Sequence, residues 1–65
     1  PAGERRTAVD RLTALLEDDR PSVRRNACLG LAGLDADAAA AVRPLLDDPD
    51  GTVRETAEQV LEILG

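Results

Sequence analysis

Residues 45–64 of the chain read LLDDPDGTVRETAEQVLEIL, and residues 15–34, thirty positions earlier, read LLEDDRPSVRRNACLGLAGL. The two stretches carry identical residues at eight positions. A repeat of this period is typical of helical units that stack into an array, because each unit buries the apolar face of its neighbour. The eight pairs are Leu15 and Leu45, Leu16 and Leu46, Asp18 and Asp48, Val23 and Val53, Arg24 and Arg54, Ala27 and Ala57, Leu31 and Leu61, and Leu34 and Leu64.

Apolar residues recur at helical spacing in four segments, and no segment alternates with the period of two that marks a strand. The sequence therefore predicts an all-α chain. The four helices are predicted at residues 4–18, from Pro21 to about Gly33, at residues 36–47 and at residues 51–64.

Individual residues indicate where these helices begin and end. Pro21 fits the first turn of the second helix, and Gly33 is expected to end that helix in a left-handed conformation. Pro44 removes one hydrogen bond and is expected to bend the third helix. Caps are expected at Asp19, at Asp35 or Asp37, and at Asp50 or at Thr52 paired with Glu55 in a capping box.

The 65 residues are enough for one small domain, and they include no Phe, Tyr, Trp or Met. The core must be built from Leu, Val, Ile and Ala. Because a chain this short buries only ~60% of its unfolded surface, its stability is expected to be marginal. We therefore expect either flanking repeats in a longer array or completion by a partner, and self-association through uncovered end faces.

Charge is unevenly distributed along the chain, whose formal net charge is −5. Residues 1–25 carry six Arg against five acids, whereas residues 26–65 carry two Arg against eight acids. The second half therefore repels phosphate. No apolar run approaches the ~20 residues of a membrane span, and the single Cys28 allows no disulfide within the chain, so a cytoplasmic location is expected.

The repeated pattern Leu-Leu-x-Asp-x4-Val-Arg-x2-Ala-x3-Leu-x2-Leu resembles the HEAT repeat, in the short form that is similar to bilin-lyase repeats. The resemblance implies a right-handed α-solenoid fragment of four antiparallel helices. These form one domain of two helical hairpins, unit one at about residues 4–34 and unit two at about residues 35–65. The second helix of each unit is then expected to line the concave side.

The resemblance also implies a hydrogen-bond ladder between adjacent units, made by the turn aspartate and by the arginine of Val-Arg. A charge-assisted bond of this kind is roughly twice as strong as a neutral one. The family's helix-bending proline corresponds to Pro44, and Ala14 stands there in unit one. The ladder residues are Asp18, Arg24, Asp48 and Arg54.

The residue types in the chain argue against catalytic activity and metal binding by the chain itself. No His is present, so the chain has no imidazole base and no His/Cys zinc site. The acidic clusters at residues 17–19 and 47–50 lack the spacing of a calcium-binding EF-hand loop. Cys28 has no base to activate it and is expected to be a small, part-buried filler. We therefore expect no catalytic activity, no cofactor and no metal.

The candidate binding surface consists of the positions on each second helix that lie outside the apolar stripe. The favoured interpretation is a protein-protein interaction or scaffold module that presents a mainly acidic concave surface to a basic protein or peptide. The candidate residues are Arg25, Asn26, Cys28 and Leu29 in unit one, and Glu55, Thr56, Glu58, Gln59 and Glu62 in unit two.

Two alternatives use the Arg-rich first half of the chain. One is nucleic-acid binding, which the net negative charge and the lack of Lys and aromatic residues count against. The other is an accessory domain of a larger enzyme similar to bilin lyases or HEAT-containing reductases, with the catalytic part in another domain. The arginines in question are Arg5, Arg6, Arg11, Arg20, Arg24 and Arg25.

Overall fold

The computed structural model of the protein describes residues 2–34 and 37–65, and this part of the chain contains helices and no strand. The prediction of an all-α fold is confirmed. The elements are α1 (Ala2–Leu15), α2 (Pro21–Leu34), α3 (Ala39–Val42), a 3₁₀ helix (Arg43–Asp47) and α4 (Gly51–Leu64).

The first helix ends three residues earlier than predicted, at Leu15 instead of Asp18. Beyond it the chain tightens, since the amide nitrogens of Glu17 and Asp18 donate to carbonyl oxygens three residues back, at 3.2 and 3.1 Å. The negative end of the helix dipole disfavours acidic side chains, which explains why the acidic run lies in the turn and outside the helix.

The third helix differs most from its prediction. Instead of one bent helix, the chain forms the four-residue α3 and then changes to the 3₁₀ helix Arg43–Asp47. Pro44 explains the change, because its ring clashes with the carbonyl four residues back and its nitrogen has no hydrogen to donate. The N-cap of α3 is Ala38, without a side-chain hydrogen bond, so Asp37 is not the cap. The predicted cap at Asp35 and the predicted start at Ala36 lie outside the described residues.

The helix α2 begins at Pro21 as predicted but runs through Gly33 to Leu34. Gly33 is helical, and Gly65, at a φ of 75°, is the one described glycine with a positive φ. The prediction of a left-handed terminator at Gly33 was therefore wrong, whereas Gly65 does end α4. The cap of α2 was also predicted wrongly: the carbonyl of Arg20, not Asp19, accepts the first helical bonds.

The start of α4 is set by Asp50 and not by the predicted capping box. The Asp50 carboxylate accepts a hydrogen bond from the amide of Val53 at 3.0 Å, which satisfies one of the free amides at a helix start. Thr52 lies inside the helix, so it does not occupy the cap position of the expected Thr52 and Glu55 pair.

The core lies where α2 packs against α1 on one side and against α4 on the other, with the 3₁₀ helix and α3 closing over α4. Leu31, Val42, Val53 and Val60 are fully buried. Since aromatic side chains are absent, aliphatic contacts and small residues fill this volume. The buried apolar residues are Leu16, Ala27, Cys28, Leu31, Ala38, Val42, Leu45, Val53, Ala57 and Val60.

The leucine pairs that end the first helix of each unit point their side chains differently. Leu16 is buried and Leu15 is 39% exposed, whereas in unit two Leu45 is buried and Leu46 is 39% exposed. The 3₁₀ helix turns 120° per residue instead of 100°, so the same two leucines reach the core in a different rotational phase.

Candidate functional site

Arg24 connects the two units at the centre of the molecule. Its Nη1 donates to the carbonyl oxygen of Asp18 at 2.7 Å, within unit one. Its Nε and Nη2 donate to Oδ2 and Oδ1 of Asp48 at 2.7 and 3.0 Å, across to unit two. The two side chains are only 12% and 7% exposed, so the pair is largely shielded from water. One guanidinium therefore joins both interhelical turns.

The electrostatics of this contact favour the charged forms of both side chains. The hydrogen bonds from Arg24 hold the pKa of the Asp48 carboxyl below its ordinary value, and the same bonds raise the pKa of Arg24. Asp48 also accepts from the backbone amide of Asp50 at 2.9 Å. The carboxylate is thus fixed by three donors, which matches the tight geometry expected of a bidentate pair.

Asp18, the corresponding aspartate of unit one, is bound within its own turn. Its Oδ1 and Oδ2 accept from Nε and Nη2 of Arg20 at 3.0 and 3.2 Å, and Oδ1 also accepts from the amide of Arg20. These bonds lower the pKa of Asp18 to about 2. The Arg20 side chain is 72% exposed, so this pair contributes less to stability than a shielded one.

Arg54, the fourth residue of the expected ladder, repeats one half of the Arg24 arrangement. Its Nη1 donates to the carbonyl oxygen of Asp48 at 2.6 Å, as Arg24 does to Asp18. Arg54 is exposed, and its Nε and Nη2 donate no hydrogen bond to any described residue. Of the expected ladder, only Arg24 and Asp48 bind through both side chains. Arg24 binds Asp18 at its backbone carbonyl, and Arg54 binds Asp48 at its backbone carbonyl.

Four of the five candidates on α4 lie on its exposed surface. Glu55, Glu58, Gln59 and Glu62 are all exposed and are spaced so that they share one face of the helix. Thr56 was wrongly included, because it is only 6% exposed and its hydroxyl donates to the carbonyl of Thr52 at 2.9 Å. We use the name acidic ridge for Glu55, Glu58 and Glu62.

On α2, Arg25, Asn26 and Leu29 are exposed, with Leu29 at 46%. Cys28 was wrongly placed on this surface and is more than the part-buried filler that the sequence predicted. Its side chain is completely buried in the core, and burial raises the pKa of its thiol. Thr56 and Cys28 are thus both buried, although each lies outside the apolar stripe of its own helix.

Ile63 is a candidate that the sequence reasoning missed. It is 72% exposed, the most exposed large apolar side chain among the described residues, and it lies one turn beyond Gln59. Gln59 corresponds to Leu29 in the repeat. Each unit therefore has an exposed apolar side chain at or near this position, which is Leu29 in unit one and Ile63 in unit two. The sequence could have indicated its exposure, because Ile63 lies outside the apolar stripe of α4.

Fewer arginines are free to bind phosphate than the nucleic-acid alternative requires. Of the six arginines in the first half, Arg20 and Arg24 are already engaged by aspartates. Arg5, Arg6, Arg11 and Arg25 are exposed.

Neither a cluster of metal ligands nor a membrane-spanning helix occurs in residues 2–34 and 37–65. Within these ranges no group of three potential metal ligands of the His, Cys, Asp and Glu types comes together. The helices within the same ranges are all too short or too polar to cross a membrane.

The chain is similar to a known family of helical repeats. The family model described as HEAT repeats matches residues 3–62, which is nearly the whole chain. No curated protein and no solved structure matches the chain.

Proposed function

The chain belongs to the HEAT-repeat family, and we propose that it is a protein-interaction scaffold module whose acidic ridge on α4 binds a basic partner. HEAT repeats generally serve as scaffolds for protein interactions. The acidic ridge and the basic partner are inferred from the side chains of this chain.

The observation that carries the proposal is the unpaired charge of the acidic ridge. Glu55 and Glu58 are three residues apart, and Glu58 and Glu62 are four apart, so all three lie close together on one helix face. Among the described residues none of the three forms an ion pair. Like charges at this spacing disfavour a helix, so a cationic partner would relieve a repulsion as well as gain attraction.

The surroundings of the acidic ridge add apolar contacts and hydrogen bonding. Gln59 lies within the ridge and offers an amide, and Ile63 extends it by one turn. On α2, Leu29 offers a second apolar contact. A partner segment with Lys or Arg side chains and one or two apolar residues matches this combination, since the cations oppose the carboxylates and the apolar residues remove Ile63 and Leu29 from water.

Charge reversal with a matched control tests the proposal. Glu55, Glu58 and Glu62 are changed together to Lys, and binding of a labelled Lys/Arg-rich helical peptide is followed by fluorescence anisotropy at low and at physiological salt. We expect an affinity loss of about tenfold or more. The control is the triple change of Glu4, Asp10 and Glu17 to Lys, which are also exposed and alter the net charge equally.

An equal loss in both variants would mean that net charge alone attracts the peptide, and would contradict the proposal. Retention of the unaltered chain on a phosphate-bearing matrix, lost when Arg5, Arg6 and Arg25 are changed, would favour nucleic-acid binding instead. Absence of turnover by the chain, and its location in the cytoplasm, stay predictions.

A further inference from the structure

A polar cleft lies between the first turns of α2 and α4. Pro21, Ser22 and Arg25 line it from α2, and Asp50 and Thr52 line it from the start of α4. Its volume of about 220 Å³ is smaller than the ~300 Å³ at which sites for drug-sized ligands begin. The polar cleft therefore has room for one side chain or for one end of a polypeptide.

Three side chains of the polar cleft can donate hydrogen bonds and are not used within the molecule. The guanidinium of Arg25 is exposed and pairs with no acidic side chain of the described residues. The hydroxyls of Ser22 and Thr52 are exposed as well and form no hydrogen bond within the same part of the chain. A carboxylate matches these donors, because it accepts from the arginine fork and from hydroxyls at the same time.

Asp50 adds an acceptor to the same cleft. Its Oδ1 accepts from the amide of Val53 at 3.0 Å, while its Oδ2 accepts no hydrogen bond from the described residues. A ligand that fits all four polar side chains therefore carries an N–H group beside its carboxylate. The last residue of a polypeptide has this pair of groups. A phosphate group offers acceptors and close to two negative charges, which Asp50 repels.

We propose that the polar cleft binds the C-terminal carboxylate of the partner, with Arg25 and the two hydroxyls on the carboxylate and the free oxygen of Asp50 on the amide of the last residue. Thr52 lies one helical turn before Glu55, so a segment that ends in the polar cleft continues along α4 over the acidic ridge. Its basic side chains then precede its C-terminus, and it runs antiparallel to α4. This orientation rests on the proposed function, whereas binding of the carboxylate does not.

Small molecules test the polar cleft without the acidic ridge. N-acetylglycine, which has a carboxylate and an N–H group, is titrated into the isotope-labelled chain, and N-acetylglycinamide serves as the neutral analogue. We expect the backbone amide signals of Ser22, Arg25 and Thr52 to shift saturably, and the neutral analogue to bind about fivefold more weakly or less. Arg25→Ala is expected to abolish the response, whereas Arg5→Ala, which removes another exposed arginine, is expected to keep it.

Asp50→Asn tests the selectivity against phosphate. Asparagine caps a helix about as well as aspartate, so the variant keeps the start of α4. Inorganic phosphate is expected to shift the same amide signals in this variant and to leave them unchanged in the unaltered chain. A response to N-acetylglycine that persists in Arg25→Ala, or equally strong binding of phosphate and N-acetylglycine by the unaltered chain, overturns the proposal.

Peptides test the orientation. One Lys/Arg-rich sequence is prepared with a free C-terminal carboxylate and with an amidated C-terminus, and binding is followed by fluorescence anisotropy. We expect amidation to weaken binding about fivefold in the unaltered chain and to have no such effect in Arg25→Ala. Net charge alone predicts the opposite, because amidation makes the peptide more positive and the chain has a net charge of −5.

A third peptide is amidated and ends in a glutamate, so its only carboxylate in this region belongs to a side chain. Binding as tight as that of the free acid would contradict a site for the chain end. If reversal of the acidic ridge weakens binding while amidation has no effect, the polar cleft is refuted and the proposed function stands. If N-acetylglycine binds but reversal of the acidic ridge changes no peptide affinity, the polar cleft stands and the proposed function is refuted.

Discussion

The turn of unit one and the turn of unit two have nearly the same residues but bind differently. In both, the arginine six residues after the aspartate donates to the carbonyl oxygen of that aspartate, at 2.7 Å for Arg24 and 2.6 Å for Arg54. The carboxylates then diverge, because Asp48 binds an arginine of the other unit and Asp18 binds one of its own turn. The repeat therefore determines the backbone contact, while the side-chain partner depends on the position of the unit in the array.

The same contrast holds for apolar residues. Leu31 is completely buried in the core, whereas its counterpart Leu61 is only partly buried against it. Identical residues in the two units are thus expected to contribute unequally to stability. The following predictions test this inequality in order of decreasing effect.

The largest difference is expected between Leu31→Ala and Leu61→Ala. Removal of the Leu31 side chain leaves a cavity in the core and is expected to cost about 3 kcal/mol of unfolding free energy. Leu61→Ala is expected to cost less than half as much, because its side chain is already in contact with water. Urea denaturation followed by circular dichroism measures both; equal losses would refute the idea that Leu31 is the better packed of the two leucines.

The second comparison is between Asp48→Asn and Asp18→Asn. Asp48→Asn leaves the shielded Arg24 without its charged partner, and we expect a loss of about 2 kcal/mol. Asp18→Asn is expected to have a much smaller effect, because the Arg20 side chain that it releases is mostly exposed. The exposed Asp47→Asn serves as the control. A larger loss for Asp18 than for Asp48 would contradict the assignment of Arg24 as the central connection.

The third comparison concerns the two helix starts. Asp50→Ala removes the bond to the amide of Val53 and is expected to cost about 1 kcal/mol. Asp19→Ala, in the turn before α2, is expected to change stability very little, because Asp19 is exposed and the N-cap is Arg20. Thermal unfolding of the two variants distinguishes them, and a similar loss in both would mean that Asp19 also supports α2.

The smallest expected effect is a difference in acid sensitivity. The folded pKa values of Asp18 and Asp48 lie below the ordinary 3.8, so both add stability above that pH and lose it as protons bind. Stability should therefore fall as pH decreases from about 4 to about 2, the latter being the folded pKa of Asp18. In Asp48→Asn the fall should be shallower. Parallel pH profiles for the two proteins would show that Asp48 is not linked to folding.

The sequence predicted the helices that the repeat specifies and missed what depends on the neighbouring unit. Helix α4 runs from Gly51 to Leu64 as predicted, because its stripe, its preceding turn and Gly65 all agree. The single long third helix was wrong, because the change of helix type at Pro44 is decided by local backbone geometry. Cys28 and Thr56 lie outside the stripe of their own helix, so only the packing of units reveals their burial.

The candidate site was predictable to a similar degree. The exposed residues of the acidic ridge follow from helical spacing alone. The role of Arg20 does not, because no pattern in the sequence indicates that this residue folds back on Asp18. Its counterpart in the repeat is Asp50, a helix cap, so the alignment of the two units points away from it.

Because Cys28 is completely buried, the rate at which its thiol reacts with a reagent reports how often the folded molecule opens locally. The thiol is inaccessible in the folded molecule, and its raised pKa further slows reaction with alkylating reagents. Reaction of a maleimide or iodoacetamide with this single sulfur therefore requires a transient opening of the core around α2. The rate of labelling under native conditions measures how often that opening occurs, without any added probe.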